Sequence, residues 1–301
     1  MGRVAALQAA CILCGVCIFC IVCVLSRSDL VGSGGPRGAV SAGVDGADLG
    51  LHAWVEIGAD VGLPGLIGLQ WRSSWDYGTG QLGDWCTHLL DLPYFAFDLP
   101  SPVSVVAHTL KPSDFYHARG VMSTLTYDVS KAANRAMFAR DRFVIRYGDQ
   151  SQAPSRASLG LPAGKWAGTG TLIVCEGGVI FNQPDGDPEV WIGGKKVDFK
   201  SIAGRGTDGE GTLRARNHWH AWVDKIMGKP DAFVQTPFSY AAGIAEAGLL
   251  ASRAARFPQQ ELLWDKSKLA FANADGSPHE EANKTCVRRE YRQGFELPAV
   301  V

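Results

Sequence analysis

Asp84 and His88 stand four residues apart, with Asp91 three further on, among apolar positions Leu82, Cys86, Leu89 and Leu90 that recur at helical spacing. Side chains four apart share a helical face, so Asp84 and His88 can point into one cleft, with the helix N-terminus adding positive potential near Asp84. A carboxylate beside an imidazole is acid/base chemistry, because imidazole is the side chain that titrates near neutrality. The same spacing also suits a solvated pair that is only hydrogen-bonded. The segment opens through Gly78, Gly80 and Gly83, a G-x-G-x-x-G pattern that recurs at Gly204, Gly206 and Gly209. A dinucleotide fingerprint follows a buried parallel strand inside a βαβ unit. Here the first copy follows the polar, aromatic residues 71–77 and the second follows residues 198–203, so each reads as a turn.

Trp71, Trp75 and Tyr77 cluster just before the first glycine turn, where aromatic faces either stack on a sugar ring or bury. His218-Trp219-His220 would be a metal pair on a strand. The segment reads as a helix, on which residues two apart diverge by about 200°, so His218 pairs with Trp222 and His220 with Asp224. His218 is then a packed or pocket-lining residue, and no metal is expected.

The elements that position these groups belong to a chain of 301 residues, enough for one or two domains with a sizeable core. Twenty-nine basic and thirty acidic side chains leave a net charge of −1, which excludes a basic nucleic-acid binder. Thirty-six glycines and nine tryptophans indicate many turns and an aromatic-lined cleft. Five of the eight cysteines, Cys11, Cys14, Cys17, Cys20 and Cys23, lie in one apolar run, which leaves too few for a secreted disulfide framework. Residues 4–25 carry no charge and span about 33 Å as a helix, so residues 1–27 read as a single-pass transmembrane signal anchor. Arg3 against Arg27 and Arg37 leaves its orientation open. Residues 28–69 are a glycine-rich linker.

Strands are expected over residues 104–110, 122–129, 138–147, 171–176, 179–182, 190–192 and 196–199, with helices over 215–227 and 238–256. Pro93 bends or ends the Asp84 helix, and residues 261–272 form a last hairpin. Ser277, Pro278 and Glu280 stand in register as cap, first-turn proline and N3 acid of a C-terminal helix. The fold class is therefore α+β: an open, mainly antiparallel sheet with helices packed on one face, behind the membrane helix.

Residues 75–91, WDYGTGQLGDWCTHLLD, resemble the glycine-rich Asp-x-x-x-His segment of Gfo/Idh/MocA-type oxidoreductases. The resemblance continues through the tryptophan-rich residues 218–230, which end in Gly-Lys-Pro. It also covers residues 264–297, with Glu281-Ala-Asn283 and the run RREYRQGFEL from Arg288. These look like the bacterial-type C-terminal domain of that family, and the similarity covers residues 70–297. The family is a two-domain enzyme with an N-terminal Rossmann domain for NAD(P) and a C-terminal α+β domain, acting on a sugar or cyclitol carbon. By resemblance His88 is the acid/base near the substrate hydroxyl and Asp84 its partner or a substrate contact. Trp75, Tyr77, Asp91 and His218 are the candidate substrate-binding residues, and the resemblance implies a homo-oligomer formed through the open sheet.

Nothing before residue 70 resembles a Rossmann strand, glycine turn and helix, and the family's Glu-Lys-Pro motif is absent. The cofactor's reactive carbon has no evident seat, and acid/base residues cannot themselves accept a hydride. Two other readings stand beside this one. One is a noncatalytic saccharide-binding or oligomerisation module using the aromatics at 71–77. The other is a redox-independent hydrolase or lyase.

Overall fold

The computed structural model describes residues 21–25, 70–109, 114–118, 120–149, 154–166, 169–175, 177–183, 188–198, 218–230, 232, 234, 236–288 and 290–295. Strand β1 is Ile21–Leu25, followed by helices α1 (Gly80–Leu89) and α2 (Asp91–Phe97). Strands β2 (Ser104–His108), β3 (Met122–Asp128), β4 (Arg142–Gly148), β5 (Gly170–Cys175), β6 (Gly178–Asn182), β7 (Glu189–Ile192) and β8 (Lys195–Val197) come next. The chain continues with α3 (His218–Ile226), α4 (Phe238–Ala254), β9 (Glu261–Asp265) and β10 (Ala270–Ala272). These ten strands form one sheet in the order β10-β9-β2-β3-β4-β1-β5-β6-β7-β8. Every described pairing is antiparallel except that of β1 with β4. The mixed α+β class follows.

β1 corrects one expectation. The last five residues of the run read as a membrane-spanning helix are a strand, paired parallel to β4 and antiparallel to β5. The reason is physical: an uninterrupted apolar segment, rich here in β-branched residues (IVCVL), suits a central strand as well as a helix, and periodicity does not separate the two. The rest of that run, the linker expected over 28–69 and the second glycine pattern at Gly204, Gly206 and Gly209 lie outside the described residues. Among the described residues no helix is long and apolar enough to cross a membrane.

Strand alternation builds the two faces. Leu125, Tyr127, Phe143, Ile145, Tyr147 and Ile173 point to the face covered by α1, α2 and α4, where they meet Leu89, Leu90, Phe97, Leu250 and Ala251 in the main core. Their neighbours Leu172, Val179, Phe181 and Trp191 point the other way and form a smaller cluster with Trp166. Arg156 lies over Trp166 and Trp191, at 4.6 and 4.9 Å from the ring centres, and Nη2 donates to Glu189 at 3.0 Å.

Pro93 falls in the first turn of α2, where its missing N–H costs no intrahelical bond, so it starts a new helix after Leu90. At the C-terminus the cap is His279, not Ser277: its Nδ1 accepts from the Ala282 amide at 3.2 Å and opens the short helix Glu280–Ala282. Ser277 instead donates to Asp275.

A proline at Val22 removes a ladder donor from a strand with neighbours on both sides. Val22→Pro should therefore lower the unfolding free energy by about 3 kcal/mol or more, read by denaturant titration of the purified protein. A wild-type midpoint would mean that β1 is not part of the cooperative sheet.

Candidate functional site

α1 is held at three levels by side chains from other elements. Ser252 of α4 donates to the Thr79 carbonyl at 2.5 Å just before the first turn. The buried Tyr147 phenol of β4 donates to the Leu82 carbonyl at 2.5 Å, and Thr171 of β5 donates to the Leu89 carbonyl at 2.9 Å. The last of these satisfies a carbonyl that the helix end leaves without an intrahelical partner. Leu82, Cys86 and Leu89 face inward, and the opposite face carries Asp84 and His88.

The two candidate catalytic residues share that face but do not bond to each other among the described residues. Asp84 Oδ2 accepts from Arg72 Nη1 at 2.7 Å, and both side chains are partly exposed. An ion pair of this exposure contributes at most about 1 kcal/mol, so its main effect is to fix the carboxylate's direction. His88 is exposed, with its ring 5.3 Å from that of Trp85 and tilted by 56°. Arg72 therefore takes the place beside Asp84 that the sequence reading gave to His88.

Asp91, the first residue of α2, accepts from the Tyr240 hydroxyl at 2.7 Å and so ties α2 to α4. Burial first, and the Asp91 carboxylate second, hold the Tyr240 phenol above its ordinary range. Tyr77 is 58% exposed, whereas Trp75 is 5% exposed and turned into the core. The Trp75 ring lies 3.5 Å from that of His117, with the guanidinium carbons of Arg256 and Arg253 at 4.5 and 5.5 Å. Trp75 thus offers no open face for a sugar. Trp71 lies in the 3-10 turn Gln70–Ser73 and His218 opens α3, and the side chains of both are outside the described residues.

The sequence reading missed Arg72, His117 and Tyr240. No local spacing marks them, since Arg72 is 12 residues from Asp84 and Tyr240 is 149 from Asp91. His117 is buried, with Nε2 3.3 Å from the Gly78 carbonyl and Nδ1 3.4 Å from Ser252 Oγ. A carbonyl only accepts, so the single N–H of the neutral ring belongs on Nε2. Burial, followed by the charge of Arg253, pushes the His117 pKa down to about 3, against the Gly78 contact that raises it.

This packing also decides what the glycine pattern is for. Gly80 has φ +67, and a Cβ there would stand 2.7 Å from the His117 ring. A Cβ at Gly83 would meet Thr79 at 2.3 Å, and one at Gly78 the Arg72 backbone at 2.3 Å. The glycines are spent on internal contact, and what precedes them is the turn Gln70–Ser73 and an isolated bridge from Ser74 to Tyr116, not a parallel strand. The described residues therefore do not fit a dinucleotide pyrophosphate at this turn.

No family model matches the sequence, and no curated protein matches it. Solved structures similar to the chain include an oxidoreductase from Thermotoga maritima (10% identity, TM-score 0.41, covering 87% of this chain and 60% of that one). A protein named as a dehydrogenase from Bordetella bronchiseptica RB50 is 12% identical (TM-score 0.38, 87% of this chain, 67% of that one). An oxidoreductase from Agrobacterium radiobacter, solved with NAD+, L-tartaric acid and magnesium, is 14% identical (TM-score 0.37, 87% of this chain, 62% of that one). The chain spans about two thirds or less of the length of these proteins.

A histidine whose folded pKa lies below its ordinary 6.5 binds fewer protons folded than unfolded, so stability rises with pH across that interval. The contribution of His117 is full above pH 6.5 and is lost as the pH falls toward 3. His117→Phe should flatten the stability profile in that window, where the parent loses up to about 1.4 kcal/mol per pH unit from this group. Denaturant midpoints measured at several pH values check it, and parallel profiles would contradict a buried neutral ring.

Proposed function

We propose that this chain supplies the substrate side of an oxidoreductase acting on a secondary alcohol of a sugar or cyclitol, with His88 as the group that takes the hydroxyl proton. The observation that carries the reading is that α1, fastened by Ser252, Tyr147 and Thr171, turns His88 outward on the face that also bears Asp84. A positioned imidazole can accept a hydroxyl proton at one ring nitrogen, and a rigid helix limits the geometry it samples. Arg72 holds Asp84 in one direction, which leaves that carboxylate to accept from a neighbouring substrate hydroxyl. Tyr77, 58% exposed and seven residues before Asp84, supplies an apolar wall for the ring. The resemblance of residues 75–91 and 264–297 to Gfo/Idh/MocA-type enzymes supports the same reading. A nicotinamide cofactor would supply the hydride acceptor. The described glycine turn, filled by His117, Thr79 and the Arg72 backbone, does not fit its pyrophosphate. Self-association of the chain through its sheet goes with the same reading.

The burial of Trp75 weighs against a saccharide module built on stacked aromatics. Calorimetric titration of the purified chain with a panel of aldoses and cyclitols, with and without NAD+ or NADP+, tests the reading. Binding should weaken by about 3- to 10-fold in His88→Ala, the loss of one hydrogen bond, and should survive a chelator. Turnover of the panel with no nicotinamide added would replace the redox reading with a hydrolase or lyase.

A further inference from the structure

Between α4 and the β9–β10 hairpin lies a cavity of about 500 Å³, and neither Asp84 nor His88 lines it. Cavities of about 300 to 1,000 Å³ are the size of small-molecule sites. Its walls are mainly apolar: Ala245, Leu249 and Leu250 come from α4, Leu269 and Phe271 from the hairpin, and Val287 from the chain beyond. Leu249 and Leu269 are 42% and 56% exposed, so two large apolar side chains of the wall still meet water. A molecule that covers them and fills the hollow removes apolar surface from solvent, which is favourable in proportion to the area buried.

The polar groups of the lining decide what kind of molecule fits. Glu246 uses both oxygens within the protein: Oε1 accepts from Trp264 Nε1 at 2.9 Å, and Oε2 from Lys266 Nζ at 3.4 Å. Lys266 is thereby matched by the carboxylate beside it. Arg253 is likewise engaged within the protein, with its guanidinium carbon 5.5 Å from the centre of the Trp75 ring. Among the described residues, none that lines the cavity has a buried side-chain nitrogen or oxygen without a hydrogen-bond partner. A charged ligand group would lose its water here and find each opposite charge already committed, which makes its burial costly. An uncharged body escapes that cost. Trp264 and Phe271, whose rings lie 5.0 Å apart and tilted by 57°, give the wall an aromatic side on which a ring can pack.

We propose that this cavity binds an uncharged lipophile that carries a ring system, held among Leu249, Trp264, Leu269 and Phe271. The proposal is independent of the role given to His88.

N-phenyl-1-naphthylamine is the probe, followed by its fluorescence as it is titrated with the purified full chain. Its anionic counterpart, 8-anilino-1-naphthalenesulfonate, has the same ring system with one sulfonate added. One N-phenyl-1-naphthylamine should bind per chain, at least about 10-fold tighter than the sulfonate. Leu249→Asp, which places a carboxylate in the wall at an already exposed position, should weaken the uncharged probe by about 10-fold or more. Ala245→Trp, which fills the hollow, should do the same. A thermal melt shows whether each variant is folded, and Leu249→Asp decides the matter if Ala245→Trp is not. Trp222→Gln, a change on the exposed face of α3, should leave the affinity as it was. Absence of saturable binding overturns the proposal, as does a sulfonate that binds equally well or better. So does probe binding that Leu249→Asp leaves unchanged or that Trp222→Gln abolishes, either of which would place the probe elsewhere on the surface.

Discussion

The close approach of α1 to α4 sets where every other group of the candidate site can stand. At Gly248 a Cβ would lie 2.3 Å from the Cβ of Cys86 and 2.6 Å from its sulfur, so only glycine lets the two helices meet this closely. That contact brings Ser252 within reach of the Thr79 carbonyl, with α4 seated against β2 and β3 and α1 bonded to β4 and β5. With α1 fixed from below by Tyr147 and Thr171, its outer face is the only part left to meet a ligand. Burial around Cys86 also raises its thiol pKa, in keeping with a packing role for that sulfur.

The outer face is consequently simple. Asp84 is turned toward Arg72, His88 toward solvent beside Trp85, and Asp91 toward Tyr240. Beside the glycine turn, Trp75, His117, Arg253 and Arg256 pack together as an inner support. An uncharged imidazole in that support avoids placing a third positive charge next to two arginines.

Much of this architecture was legible in the residues, for identifiable reasons. Strands β3, β5 and β6 declare themselves by alternation and β-branched content, and the helix at Asp84 by its apolar spacing. The first glycine pattern was correctly read as a turn, because what precedes it is not an apolar strand. Other features needed the fold. IVCVL reads identically in a membrane helix and in a central strand, and the partners that decide between them are β4 and β5, more than a hundred residues away. Trp75 could not be placed inside or outside until His117 arrived beside it. Arg72, Tyr240 and the apolar cavity depend on contacts between segments distant in sequence, which no local period encodes.

In the proposed function α1 presents His88 to a carbohydrate alcohol. This is tested most directly by following the imidazole resonances of the purified chain by NMR during titration with myo-inositol and D-glucose, with His88 assigned by comparison with His88→Gln. A binding polyol should shift the His88 ring signals in a saturable manner while those of the buried His117 stay in place. Saturable polyol binding that leaves the His88 signals unmoved would contradict it.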